Sequence, residues 1–387
     1  MQQLSLRENR SPSSLYAHQR HALVALAQVL LELEQAEAAR RLGTLAHRQR
    51  NLPAPTYTRL FGVDAPLRRL QAWLADPGGP RFVSIEGMGD LGKTALAHAA
   101  VQASLPMADW ADLAWISVAD QPFYRWRAQT DPAPLDPERI LEQVAWQLGL
   151  EEIAALPAAS RRAALQARLS RDLYLVVVDD LEPAHRPHEL VASLLPLAGA
   201  TRFLLTTRQR LSDLPGGTNL PLRELPRRPS LALLRQEVAE RGLEPIPNPL
   251  LEQVYAVVGG NPLALKLVVG QAASLPMARV LEGLRAVEGS PASDLFRHIY
   301  LQSWHLLAPD ARQTLVAMAL LSSRGATYAE LQTATALPPA RLDPALRQLV
   351  THSLLNLDPT PPGRYTVHRL THTFLLNHVF ALGEGSP

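Results

Sequence analysis

The residues in this chain best suited to chemistry form a glycine-rich stretch that ends in a lysine and a threonine. It reads Gly87-Met-Gly-Asp-Leu-Gly-Lys-Thr94, a full match to G-x-x-x-x-G-K-[ST]. Glycines permit a tight turn whose backbone N–H groups point at anionic oxygens, and the following helix adds the positive end of its dipole. Lys93 can then reach the β- and γ-phosphates, while the Thr94 hydroxyl can bind Mg²⁺. The stretch therefore predicts a binding loop for ATP or ADP with Mg²⁺.

Nucleotide contacts are expected along this whole phosphate loop. The residues assigned to them are Gly87, Gly89, Asp90, Leu91, Gly92, Lys93, Thr94 and Ala95. Lys93 is counted as catalytic as well, since it reaches the γ-phosphate. A glycine-rich turn without a ligand is the alternative, and it is disfavoured because an apolar run precedes the stretch and a helical pattern follows it.

An acidic pair follows a second apolar run. Leu175-Val-Val-Val178 leads directly into Asp179 and Asp180. Ligands of open α/β sheets bind at the carboxyl ends of the strands. Asp179 is therefore predicted to hold Mg²⁺ together with Thr94, and Asp180 to polarise the attacking water as general base. Two acids that only cap a turn are the alternative.

Two weaker motifs come further along the chain. Thr206-Thr-Arg208 ends the next apolar run, where the Arg208 guanidinium could contact the γ-phosphate. Gly259-Gly-Asn-Pro-Leu-Ala-Leu265 opens a helix with proline in its first turn. Alone, the first is an ordinary surface arginine and the second an ordinary helix start.

These motifs need a sheet and helices to position them. Four continuous apolar runs are predicted to be strands of a parallel sheet covered on both faces: Arg81–Glu86, Leu113–Val118, Leu173–Val178 and Arg202–Thr207. Helical patterns lie between them: Thr94–Ala103, Pro137–Leu148 and Ser160–Leu169. The fold class predicted for this part is therefore α/β.

The rest of the chain is predicted to be helical, apart from one hairpin. The first fifty residues form a short helical segment, and the region after Pro226 forms a bundle. Further helices precede a helix that Asp343 caps and Pro344 opens. Strands Ser353–Leu357 and Arg364–His368 then form a hairpin. Short helices followed by such a hairpin predict a winged helix.

Composition excludes several classes of protein. The 387 residues carry a formal net charge of +2, which does not indicate nucleic-acid binding driven by charge alone. The absence of cysteine excludes disulfides, thiol nucleophiles and cysteine-ligated metals. The histidines form no H-E-x-x-H pattern, so a zinc site is not expected. Because the polar start lacks a signal peptide and no apolar run is long enough to span a bilayer, we expect a cytoplasmic protein without a membrane partner.

The order of these motifs resembles the NB-ARC group of STAND NTPases, and the first two motifs correspond to Walker A and Walker B. The resemblance covers roughly residues 55–380. It implies the following division: 1–54, helical segment and linker; 55–225, P-loop domain; 226–290, helical bundle (ARC1-like); 291–381, winged helix; 382–387, tail.

The resemblance also assigns residues outside the phosphate loop. It implies that Pro262, followed by Leu263, lies against the nucleotide base. The family's Met-His-Asp motif, whose histidine touches the β-phosphate of ADP, corresponds to Val367-His368-Arg369, where only His368 matches.

Two further positions differ from the family pattern. The segment Phe61, Gly62 and Val63 keeps a glycine found near the base but lacks the family's arginine, so only backbone contacts to adenine are expected. Asp90 replaces a glycine common in the family, and its carboxylate must point away from the phosphates because it would repel them.

The function implied is a signalling switch in immunity or regulation. Such proteins are closed with ADP, open and oligomerise with ATP, and reset by slow hydrolysis. A sensor or effector acting in trans is expected, as is a homo-oligomer in the ATP-bound state. Two alternatives stay open: a DNA-binding transcriptional regulator that uses the winged helix, which is not favoured because this domain mostly packs internally, and a constitutive AAA+-like ATPase.

Overall fold

A computed structural model describes residues 45–107, 109–118, 137–181, 187–211, 215–286, 292–321, 325–358 and 363–375. The chain divides into two units, residues 1–50 and 51–387. Of the first unit only residues 45–50 are described, with helix over 45–49. The predicted N-terminal helical segment therefore lies almost entirely outside the described residues.

The second unit contains a parallel sheet of five strands in the order β2-β3-β4-β1-β5. The strands are β1 (Phe82–Glu86), β2 (Leu113–Ser117), β3 (Leu175–Asp179), β4 (Arg202–Thr207) and β5 (Gly217–Pro221). All residues of β1, β3 and β4 are buried, as the continuous apolar runs predicted. Because β4 lies between β1 and β3, the three chain segments that follow these strands emerge side by side.

Helices cover this sheet. They are α1 (Asp64–Ala75), α2 (Lys93–Ser104), α3 (Pro137–Gln147), α4 (Glu151–Ala154), α5 (Ala158–Leu169) and α6 (Pro187–Leu194), the last followed by a 3₁₀ turn at Leu195–Leu197. A core of buried side chains between Phe82 and Leu211 joins sheet and helices. The predicted α/β fold is thus confirmed.

Among the described residues β2 is one of the two outer strands of the sheet, and side-chain amides bind its backbone. Gln147 accepts from the Trp115 N–H at 2.6 Å and donates to the Trp115 carbonyl at 2.8 Å. Asn51 donates to the carbonyl of Leu113 at 2.8 Å. Three backbone groups that a neighbouring strand would otherwise use are therefore already paired.

The region after β5 is mainly helical and has a core of its own, from Leu225 to Leu375. Its helices are α7 (Arg227–Glu240), α8 (Asn248–Val258), α9 (Pro262–Ala272), α10 (Met277–Arg285), α11 (Ala292–His305), α12 (Pro309–Leu321), α13 (Tyr328–Thr335), α14 (Pro339–Thr351) and α15 (Arg369–Phe374). Strands β6 (Leu355–Asp358) and β7 (Arg364–Val367) form an antiparallel hairpin. Among the described residues, no helix is long and apolar enough to cross a membrane.

The predicted start of α14 is wrong. The helix begins at Pro339, so Pro344 lies inside it. Proline suits the first turn, where its missing N–H needs no partner, and Pro339 already supplies that start. Asp343 lies inside the helix and so does not cap it, and its carboxylate accepts a hydrogen bond from the Tyr328 hydroxyl at 2.7 Å.

Gly270 lets α9 pack closely against the end of α14. A Cβ atom there would lie 2.6 Å from the His352 carbonyl oxygen. We expect Gly270→Ala to lower the free energy of unfolding by about 1–3 kcal/mol, since backbone must move to relieve the overlap. Gly283→Ala in α10 is the matched control, because its Cβ would meet His298 at an ordinary 3.6 Å. For this control we expect the free energy of unfolding, measured with urea, to rise by about 0.5–1 kcal/mol. Equal effects at both positions would contradict this account.

Candidate nucleotide-binding site

The phosphate loop follows β1 and ends where α2 begins, at Lys93. Gly92 caps this helix with a left-handed backbone, φ +87°, which glycine adopts without strain. Asp90 also has a positive φ, +65°, which is uncommon for a residue other than glycine. The loop therefore turns sharply into the amino-terminal end of α2, the arrangement in which backbone N–H groups bind phosphate.

The Lys93 side chain lies folded over this loop. Its ammonium donates to the carbonyls of Gly87 at 3.0 Å and Met88 at 2.8 Å. The residue is only 8% exposed. The positive charge is thus held at the loop by backbone carbonyls, in a position to bind an anion.

Thr94 and Asp179 meet at the carboxyl edge of the sheet. The Thr94 hydroxyl donates to Asp179 Oδ1 at 2.8 Å, across a separation of 85 residues. Thr206 donates to the same oxygen at 2.6 Å. A hydroxyl and a buried carboxylate are oxygen ligands of the kind that Mg²⁺ takes beside nucleotide phosphates, so the donor set fits the metal.

Thr206 has a role that the sequence did not reveal. Besides donating to Asp179, its hydroxyl accepts from the Asp180 N–H at 2.8 Å. Asp180 has a left-handed backbone, φ +63°. Thr206 therefore positions both acidic residues. Its location on β4, the strand next to the one that ends in Asp179, could have indicated this role.

Arg208 lies over the phosphate loop. A Cβ atom at Gly89 would be 3.1 Å from the Arg208 guanidinium carbon. The predicted arginine is therefore beside the loop, and the missing side chain at Gly89 makes room for it.

Asn261 joins the helical region to this loop. Its Oδ1 caps α9 by accepting from the N–H groups of Leu263 at 3.1 Å and Ala264 at 3.2 Å. Its Nδ2 donates to the Gly89 carbonyl at 3.2 Å. The sequence motif was interpreted only as a helix start, although an asparagine directly before the first helical residue is a capping signal.

The two segments predicted to lie near the base both lie beside Leu225. A Cβ atom at Gly62 would lie 3.4 Å from Leu225 Cδ2, and the Leu225 N–H donates to the Gly260 carbonyl at 2.9 Å. Gly62 has φ +63°, Val63 is buried, and Phe61 packs against the helical core. Pro262 begins α9 and is followed by buried Leu263.

The remaining assigned residues lie in or beside the loop. Leu91 is buried and Ala95 is partly buried in the first turn of α2. His368 follows β7, and its Nε2 lies 3.2 Å from Asp90 Oδ1. The side chain of Arg369 lies outside the described residues.

We expect Asn261→Ala to lower the free energy of unfolding by about 1–2 kcal/mol, since it removes a cap and a bond to the loop. Asn261→Asp is the control, because it keeps the capping oxygen but loses the donor to Gly89. It should lose less stability than the alanine variant, yet bind ADP more weakly by roughly tenfold. Urea unfolding and titration with ADP measure the two effects; equal losses of stability in both variants would contradict this role.

The order of elements and the loop geometry define a P-loop NTPase fold. The model of the NB-ARC domain family matches residues 63–243, in agreement with the resemblance that the motif order indicated. The curated relative "Regulatory protein AfsR" of Streptomyces coelicolor is 26% identical over 362 residues, covering 89% of this chain and 34% of that protein.

A solved STAND protein with a tetratricopeptide repeat sensor, from Pyrococcus horikoshii, has a similar fold. The TM-score is 0.54 at 17% identity, and the match covers 86% of this chain and 47% of that one. The chain therefore spans about a third and about half the length of these two proteins.

Proposed function

We propose that this protein is a STAND-type nucleotide switch that binds ADP and ATP–Mg²⁺. The observation that carries the proposal is the contact between Thr94 and Asp179 beside a lysine-bearing phosphate loop. These residues supply the cationic, hydroxyl and carboxylate groups that a nucleoside triphosphate and its metal require.

Within this site, Lys93 and the loop N–H groups bind the phosphates, and Thr94 with Asp179 holds the metal. Mg²⁺, when bound, neutralises charge on the β- and γ-phosphate oxygens. Asp180 accepts the proton of the attacking water, and Arg208 contacts the γ-phosphate. Hydrolysis on this scheme is slow and serves as a reset, so the protein is a weak ATPase.

Closure over the nucleotide is proposed to involve three parts of the chain. The division is that of the sequence analysis: a P-loop domain over 55–225, a bundle over 226–290 and a winged helix over 291–381. Asn261 and His368, from the second and third parts, both reach the phosphate loop. A ligand touched by all three stabilises the arrangement that contacts it best, so exchange of ADP for ATP shifts the population towards an open form.

Partners follow from this scheme. We propose that the open form assembles into a homo-oligomer and that a sensor or effector acts in trans or on a further part of a longer chain. No observation specifically favours DNA binding: the face of α14 formed by Leu342, Leu346 and Leu349 is buried, and Arg341 is paired with Asp310.

The test is to denature the purified protein and identify the released nucleotide. The proposal expects ADP at close to one per chain, and a larger particle by light scattering after exchange into ATP–Mg²⁺. A nucleotide-free protein that turns over ATP rapidly without changing mass would instead support the constitutive ATPase.

A further inference from the structure

A carboxylate of the phosphate loop and the imidazole that follows β7 lie within salt-bridge distance of each other. Asp90 Oδ1 lies 3.2 Å from His368 Nε2. The Asp90 side chain is 4% exposed and the His368 side chain 34%. The carboxylate is therefore shielded from solvent, whereas solvent can reach the imidazole.

The backbone conformation and the burial of Asp90 are both energetically unfavourable. Its backbone is left-handed, and its second carboxylate oxygen is buried without a hydrogen-bond donor. Burial of a charged oxygen without a partner is unfavourable, so the pairing of Oδ1 must compensate for it. Positions that keep such strain tend to serve a function.

A buried tyrosine of the helical region after β5 lies near the same carboxylate. The Tyr300 hydroxyl on α11 is buried and accepts from the Thr371 hydroxyl on α15 at 3.3 Å. Burial raises the pKa of Tyr300 well above its usual value, and the nearby negative charge of Asp90 adds to the effect. Asp90 is therefore near Tyr300 on α11 as well as His368.

We propose that Asp90 is a built-in anionic partner for His368 that keeps residues 364–375 on the phosphate loop even without a bound nucleotide. The proposal deepens the nucleotide switch and rests on it. A carboxylate here offers the histidine the kind of charge that a phosphate would offer. Opening then requires this pair to break, and loss of nucleotide alone does not release the C-terminal region.

Asp90→Asn tests this proposal by removing the charge with little change in shape. We would measure backbone hydrogen exchange over residues 364–372 in the full chain, with nucleotide removed and then with ADP added. Without nucleotide, the variant should exchange roughly tenfold faster than the wild type. ADP should slow the variant again, because a phosphate replaces the lost partner, and should leave the wild type unchanged.

Asp310→Asn is the matched control, since Asp310 pairs with Arg341 on the surface of the same region. It should exchange over 364–372 as the wild type does. His368→Gln is the second variant, and combining it with Asp90→Asn should give no faster exchange than either change alone.

Equal exchange in nucleotide-free Asp90→Asn and wild type would overturn the proposal, as would additive effects of the two variants. These comparisons need no ligand. If no protein bound ADP, the nucleotide switch would fail while the ion-pair result would still stand on its own.

Discussion

Lys93→Ala should weaken ADP binding by roughly 100-fold, equal to about 2.8 kcal/mol. The lysine ammonium is already held at the loop by the carbonyls of Gly87 and Met88, so we expect it to bind a phosphate with little reorganisation. Truncation removes the charge and leaves the loop N–H groups to bind alone. Titration calorimetry with ADP measures the change, with urea unfolding run in parallel.

Arg279→Ala is the control for general loss of positive charge, because Arg279 is exposed and pairs with Glu282. Its ADP affinity should equal that of the wild type. The chain has two lysines, Lys93 and Lys266, so amine labelling gives a second readout. ADP should protect Lys93 and not Lys266; equal labelling of Lys93 with and without ADP would count against the site.

Asp179→Asn should remove the contribution of Mg²⁺ to ATP binding. The Asp179 carboxylate is buried and already receives the hydroxyls of Thr94 and Thr206. An amide of the same shape can still pair with those hydroxyls but is a poor metal ligand. We expect ATP affinity in Mg²⁺ to fall to the value measured in EDTA, and hydrolysis to drop by about 100-fold or more.

Asp180→Asn separates metal binding from catalysis. This variant should keep the difference in ATP affinity between Mg²⁺ and EDTA while losing hydrolysis. If both aspartate variants retained that difference, Asp179 would not be a metal ligand, and the assignment of roles to the pair would be wrong.

Much of the sheet could be predicted from the sequence because its strands are buried on both faces. Four runs of apolar residues correspond to β1–β4, within one or two residues at each end. Strand β5 was missed, since Gly217–Pro221 lies at the edge with one buried residue, Leu220. An edge strand is specified by the neighbour it pairs with, which no local pattern records.

The candidate site, too, could be predicted only in part. The G-x-x-x-x-G-K-[ST] motif predicted the phosphate loop, and the order of the strands explains why Asp179 meets Thr94. The bond from Asn261 to Gly89 and the pair of Asp90 with His368 join residues 172 and 278 positions apart. Such contacts depend on how separate helices pack, and periodicity along the chain carries no information about them.

The amides that pair with β2 bear on how copies of this chain can associate. With the N–H and carbonyl of Trp115 bound to Gln147, a strand from another molecule finds those hydrogen-bonding groups occupied. Sheet-to-sheet extension, the route by which exposed edges polymerise without limit, is thereby blocked along this side. Copies that associate on the β2 side are therefore expected to meet through helix or loop surfaces, where geometry can close a ring and set a finite number of subunits.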